Sequence, residues 1–389
     1  MTKKQTTLLI TLIGSIAALG PFTIDMYLPG FPDIAKYYHT DEKQVAYTLT
    51  SFFIGISIGQ LIYGPLLDRF GRKQPLLIGL SLYLVASLIC VFAPNLFTLI
   101  FMRFIQALGG SVGMVAGSSI IRDIFETKDV AKMLSSVILV MGAAPIIAPS
   151  LGSYLIHHFG WKMIFVFLTI VSALIITGIY FFLNVGRGAD ESIILKLPNI
   201  FRNYWHTLQK REFLLYSISG SIAMAILFAY ISTIPFILMS IYGVSQTTFG
   251  WLFGLNAFGF ILGSQINRLA LLRFQLKPLT IGVALFCAII SLTFLILAFS
   301  IQIPLFLFSV LIFFILFSLG IVNPNATALS LDKISENVGL ATALNGSLRM
   351  GIAAFVSGLA GSLYNGTVFP LLIMMFVLSC LALLSLLFA

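Results

Sequence analysis

Charge is the first thing this chain is short of. Asp, Glu, Lys and Arg make up 9% of its 389 residues, and the acids number only 13. A soluble domain carries about 25% charged residues, so an ordinary water-facing surface is excluded. Cysteine is nearly absent, and Cys90, Cys287 and Cys380 each sit inside an apolar run, which excludes a disulfide framework. The four histidines, His39, His157, His158 and His206, fall in connections, and no HExxH pair occurs, so no metal site is expected. Nor is there a GxxxxGK[ST] loop to cradle a nucleotide phosphate, or a pair of carboxylates within an apolar run. Neither an enzyme nor an ATP-driven machine fits, and no cofactor is expected.

What the chain has instead is hydrophobic length. Apolar residues make up 59% and the mean hydropathy is +1.06. They fall in repeated runs of about 20 residues, the length an α-helix needs to cross a bilayer; membrane strands would alternate instead. Twelve transmembrane helices fit, over 8–29, 45–66, 75–93, 96–121, 134–156 and 162–183, then 213–239, 248–267, 278–299, 303–327, 339–364 and 367–388. The fold class is therefore all-α integral membrane. The run after Lys3 and Lys4 leads on without a small-residue cleavage site and reads as a retained first helix.

The net charge of +9 is a topology signal and does not point to nucleic acid. If the N-terminus is cytoplasmic, 17 of the 22 basic residues fall on that side. Only Lys36, Lys43 and Lys162 fall on the other, and Arg103 and Arg349 lie inside helices. Such lopsidedness places both termini in the cytoplasm and supports the even helix count. The short loops fit a bacterial inner membrane, and a monomer is expected.

The longest connection, 184–212, divides the chain into six-helix bundles over 1–183 and 213–389 and reads as a cytoplasmic linker. Within it Leu197, Phe201, Trp205 and Leu208 recur at helical spacing beside Arg202, Lys210 and Arg211. They form either a helix lying on anionic lipid or a partly ordered solvated segment. GPLLDRFGR at 64–72 has a faint echo in GSQINRLAL at 263–271. Each follows the second helix of its half, which suggests pseudo-symmetric halves with a site between them at the midplane.

One acid is inside. Asp25, in GPFTIDMYLPG, lies deep in an apolar segment, whereas the other twelve acids sit in polar connections. A charge near the bilayer centre costs roughly 2.5–3.5 kcal/mol on insertion scales. An acid there must be paired, hydrated or neutralised by a proton, and so is suited to carrying one. Arg103 lies about eight residues into the fourth helix. With Gln106, Gly110, Gly113 and Gly117 it forms one polar and small stripe. Helix one rises and helix four descends, which puts Asp25 and Arg103 in the same outer half, able to approach. Arg103 alternatively ties helices together through backbone carbonyls. In the second half Thr342, Asn345 and Arg349 share a face of helix eleven, and Asn256 lies inside helix eight. Arg349 holds an anionic or carbonyl-rich substrate, balances Asp25 across a cavity, or tethers carbonyls. Tyr27, Tyr47, Tyr63 and Tyr230 are candidate cavity aromatics, and Tyr27, Gln106, Asn256, Asn345 and Arg349 are the substrate-cavity set.

GPLLDRFGRKQP resembles the signature loop of the major facilitator superfamily, here as Gly64, Asp68, Arg69, Gly71, Arg72 and Lys73. MRFIQALGG resembles a second motif of that superfamily, whose arginine takes part in proton transfer. MGAAPIIAPSLG, with Gly142, Pro145, Pro149 and Gly152 at spacings of three, four and three, resembles the antiporter motif of its drug exporters. Proline removes a backbone donor and bends a helix, and glycine permits close packing. Together with DMYLP, IRD at 121–123, GWKMIFVFL, NPNATALS at 323–330 and ATALNGSLR, these stretches resemble the Bcr/CflA drug-resistance branch over most of the chain.

The resemblance implies the major facilitator fold, with 64–73 as a conformational latch and Asp25 with Arg103 on proton-linked positions. It implies export of small amphipathic drugs such as bicyclomycin or chloramphenicol in exchange for protons, by alternating access, with the proton gradient as the energy source. A native metabolite or siderophore exporter, or a proton-coupled symporter, is the alternative on the same fold. Some related exporters carry a second acid about two turns before the matching Asp; here that position is Ala17, which counts against a two-carboxylate scheme.

Overall fold

The computed structural model describes residues 3–124, 127–183, 188–190, 197–332, 334 and 338–389, apart from some helix side chains, most of them between 127 and 142. Within these residues the chain is a bundle of long helices. They are α1 (Lys3–Asp25), α3 (Glu42–Arg69), α4 (Lys73–Val91), α5 (Leu96–Ile124), α6 (Thr127–Phe159) and α7 (Lys162–Phe182), then α9 (Arg211–Pro235), α10 (Gln246–Ala270), α11 (Leu276–Ser300), α12 (Leu305–Asp332), α13 (Val338–Leu363) and α14 (Phe369–Phe388). Two short helices, α2 (Phe31–Tyr37) and α8 (Leu197–Leu208), complete the set. Among the described residues 11 helices are long and apolar enough to cross a membrane. The remaining long helix is α6, where many side chains lie outside the description. Polar side chains mark several starts: Asn95 Oδ1 accepts from the Thr98 amide (2.8 Å) before α5, and Ser245 Oγ accepts from the Thr248 amide (3.2 Å) before α10. Each satisfies a donor that the first turn leaves unbonded.

The first helix ends earlier than the hydropathy predicts. α1 stops at Asp25, and a tight turn at Leu28–Gly30 leads into α2, so the apolar segment runs on to Tyr37 in two pieces. Pro29 supplies the reason. It has no amide proton, and its ring disfavours helical backbone at the residue before it. The acid therefore sits at a helix break, where backbone carbonyls lose their helical partners.

α1 packs on α5, α6 and α7, while α3 and α4 pack on α5; α9 packs on α12, α13 and α14, α10 on α12, and α11 on α12 and α14. The two sets of helices meet chiefly along α3 with α13 and along α6 with α10. The surface is inverted relative to a soluble protein. Ile78, Phe97, Leu174 and Phe306 are exposed, whereas Thr23, Arg103, Gln106 and Asn256 are buried.

The two ends of the bundle are held differently. At the end nearest Asp25, Gln246 Nε2 donates to Asp33 Oδ2 (2.8 Å) and to the Pro29 carbonyl (3.3 Å). Ser153 Oγ donates to the Gln246 carbonyl (2.9 Å), and Phe31, Phe236 and Tyr364 form an aromatic row. This clasp draws α2, α6, α10 and the turn after α9 together. At the far end, Arg72 pairs with Asp68 (3.1 Å) and Asp123 (2.7 Å). Burial works against the charge of Arg72, but the hydrogen bonds and charges of Asp123 and Asp68 outweigh it and hold the guanidinium above its ordinary pKa. The second set of helices has a neutral counterpart: Asn267 and Asn325 exchange amide hydrogen bonds of 2.7 and 3.0 Å between α10 and α12.

The connection after α7 does form a helix, α8, but its packing differs from the predicted stripe. Tyr204 is its anchor, buried beside Phe213, Ile334, Ala341 and Leu344 and donating to the Leu61 carbonyl (3.2 Å). Leu208 packs on the same cluster, and Trp205 is 62% exposed. The side chains of Leu197 and Phe201 lie outside the described residues.

Candidate functional site

Arg103 is fully enclosed in the first set of helices. Its Nη1 donates to Gln106 Oε1 (2.7 Å) and its Nη2 to the Thr23 carbonyl (3.2 Å). The rings of Phe52, Tyr27 and Phe165 stand 4.3, 4.7 and 5.8 Å from the guanidinium carbon, so aromatic faces take the place of a counter-ion. Gln106 passes the chain of bonds on to Ser87 (2.7 Å), and Tyr83 shares a bond with Thr23 Oγ1 (2.6 Å). Arg103 thereby ties α1, α3, α4, α5 and α7. The Thr23 carbonyl lies in the last turn of α1, where helical partners are missing.

Asp25 does not join this network. It is 4% exposed and, among the described residues, the one buried carboxylate; no ion pair involves it. Side chains two residues apart on a helix do not share a face. Thr23 turns toward Tyr83, and Asp25 turns the other way. On that side Tyr230 of α9 lies within electrostatic reach. Tyr230 accepts a hydrogen bond from Asn256 Nδ2 (3.1 Å), which leaves the phenol proton free to donate, and its ring stacks on Phe253 at 5.8 Å. The structure thus sets Asp25 within electrostatic reach of Tyr230, whose phenol is bonded to Asn256, and outside the hydrogen bonds of Arg103. The sequence offered Tyr230 only as one of several tyrosines; an Asn inside helix eight was the sole hint of a polar partner there.

The predicted cavity residues divide between two places. Tyr27 and Gln106 have no exposed surface and belong to the Arg103 network. Asn345 and Arg349 lie farther down the second set of helices. Asn345 Nδ2 donates to Ser330 Oγ (2.8 Å), and Arg349 Nη2 donates to Thr327 Oγ1. Thr342, one turn before Asn345, is exposed. Of the other aromatics, Tyr63 is buried and Tyr47 exposed.

α6 runs unbroken through Pro145 and Pro149. A Cβ on Gly152 would strike the Met26 carbonyl oxygen and Cα, so only glycine lets α6 lie against the break beside Asp25. Gly142 belongs to α6, and its surroundings lie outside the described residues. In the 64–73 loop, Gly71 has φ +74°, a conformation that favours glycine. Arg69 Nη1 donates to the Asp190 carbonyl (2.8 Å) and Lys73 Nζ to the Tyr180 carbonyl (2.8 Å). Gly64 meets the second set of helices: its Cβ would stand 3.5 Å from that of Ala343. Among the described residues no cluster of His, Cys, Asp and Glu is suited to a metal ion.

Long apolar helices, a lipid-like rim and ionisable groups lodged between helices define a membrane transporter. Residues 13–358 match the Major Facilitator Superfamily, and the chain belongs to that superfamily, in its Bcr/CflA drug-resistance branch. It is 34% identical to the uncharacterized MFS-type transporter YdgK of Bacillus subtilis, over 97% of this chain and 94% of that one. It is 30% identical to a bicyclomycin resistance protein homolog of Haemophilus influenzae, over 96% of this chain and 94% of that one. The crystal structure of a D-xylose-proton symporter superposes with a TM-score of 0.75, covering 100% of this chain and 97% of that chain at 15% identity, which shows the shared fold alone. The protein is a multi-pass membrane transporter of small molecules, and its family is not one of enzymes.

Proposed function

We propose that this transporter exports small amphipathic drugs or xenobiotics, of the bicyclomycin or chloramphenicol kind, in exchange for protons. The observation that carries the reading is Asp25: a buried carboxylate without a cation, on one set of helices and within electrostatic reach of Tyr230 on the other. A charged carboxylate is expensive away from water, so enclosing Asp25 between the two sets favours a proton on it. The ionised form favours a conformation that hydrates it. Proton occupancy is in this way linked to whether the helices close around the acid.

In this reading the two sets are six-helix bundles, 1–183 and 213–389, joined by the linker 184–212. Both termini are cytoplasmic in a bacterial inner membrane, the transporter works as a monomer, and the Asp25 end faces out. The clasp of Gln246 on Asp33 and Pro29 closes the outer end, substrate reaches the space between bundles from the cytoplasm, and its entry competes with the proton. The likeness to a bicyclomycin resistance homolog supports export over uptake.

Drug efflux from cells expressing wild type or Asp25→Asn, with and without a protonophore, tests this. Wild type exports, and either treatment stops export while the purified variant still binds drug. Normal gradient-driven export by Asp25→Asn would overturn the assignment.

A further inference from the structure

Two arginines lie among the membrane-crossing helices, and they are treated unequally. Arg103 is closed off by Gln106, the Thr23 carbonyl and three aromatic faces. Both leave a buried Nε without a partner, but among the described residues Arg349 has Thr327 Oγ1 as its one hydrogen-bond partner and no carboxylate pairs with it. Thr327 is held in place by its own bond to the Asn323 carbonyl (2.8 Å). One helical turn before Arg349, Asn345 gives its amide group to Ser330 (2.8 Å) and leaves its Oδ1 buried and unpartnered. Buried polar atoms are nearly always satisfied, and those left open call for a ligand, water or ion.

We propose that Arg349 and Asn345 form a subsite for carboxylate-bearing substrates. Arg349 donates to the carboxylate, and Asn345 Oδ1 accepts from an amide N–H or hydroxyl about one helical turn away, roughly 5 Å. A guanidinium presents a planar fork that matches a carboxylate, and Thr327 fixes one arm of it. Asp25 takes no part, since its surroundings are Tyr230 and Asn256. This deepens the transport reading and rests on it only in taking the space between the helix sets as the substrate path.

The test is equilibrium binding to purified protein, with no gradient, of chloramphenicol and its hemisuccinate ester. The ester replaces one hydroxyl by a succinyl chain that ends in a carboxylate, and the methyl ester of that carboxylate serves as the uncharged control. Wild type binds the hemisuccinate about tenfold more tightly than the parent, the margin that one charge-assisted contact supplies. Arg349→Gln removes that preference, weakening binding of the hemisuccinate about tenfold. Arg349→Lys, which keeps the charge and loses the fork, retains part of it. A wild type that binds the two alike, or binds neither, overturns the proposal. So does an Arg349→Gln variant that weakens both equally and unfolds earlier, for that outcome marks a structural tether. Loss of proton-driven export would leave this binding preference untouched, so the two readings fail separately.

Discussion

Arg103 donates to the carbonyl of Thr23, two residues before Asp25, and leaves Asp25 itself buried without a cation. An arginine and an acid that share one end of the bundle are thereby assigned different work. One holds the break in α1, and the other is left free to change its charge.

Replacing Arg103 with Lys keeps the charge but not the fork. A single ammonium cannot reach Gln106 and the Thr23 carbonyl while lying against three rings. With one buried acceptor left open, the expected loss is about 1–3 kcal/mol, read as a lower apparent melting temperature in detergent. A variant as stable as wild type would show that the tether carries no weight.

Tyr230→Phe removes the proton donor that faces Asp25 and leaves Asn256 Nδ2 without its acceptor. The fold should lose about 1 kcal/mol. Drug binding is expected to survive while the dependence of efflux on the proton gradient weakens. Efflux measured across a series of external pH values reports this; an unchanged profile assigns Tyr230 to packing only.

Gly152→Ala puts a methyl group where the Met26 backbone lies. Either α1 moves away from α6 or the helices stay strained, at a cost of about 1–3 kcal/mol. Because Met26 follows Asp25, transport should fall further than stability does. Equal losses in the two assays would make Gly152 a packing residue alone.

Gln246→Glu sets a second carboxylate against Asp33 and should loosen the clasp. With Phe31→Cys as a reporter, a membrane-impermeant thiol reagent applied outside is expected to label the double variant faster than Phe31→Cys alone. Cys90 and Cys287 are buried, which limits background. Equal labelling rates would mean that contacts other than the Gln246–Asp33 bond hold this end.

Much of this architecture could be read from the letters. Every predicted span has a long helix over it, because crossing hydrocarbon demands a run of apolar residues whatever the neighbours are. The break after Asp25 was written in Pro29 and Gly30, though hydropathy alone carried the helix past it. The partner of Arg103 was harder to see, since a backbone carbonyl has no letter of its own. In the linker, spacing pointed to Trp205 and packing chose Tyr204, as the docking surface comes from α3, α9 and α13, far away in sequence. Tyr230 gave no signal among 13 tyrosines; only its position opposite Asp25 singles it out.

The far ends of the two helix sets are tied by different chemistry, Arg72 with Asp68 and Asp123 in one and Asn267 with Asn325 in the other. Ions in solution weaken the first kind of tie and barely touch the second. A rise in salt would therefore loosen the first tie, though only in part because Arg72 is largely buried, and spare the second, so that the two sets of helices would answer unequally to the same ionic strength.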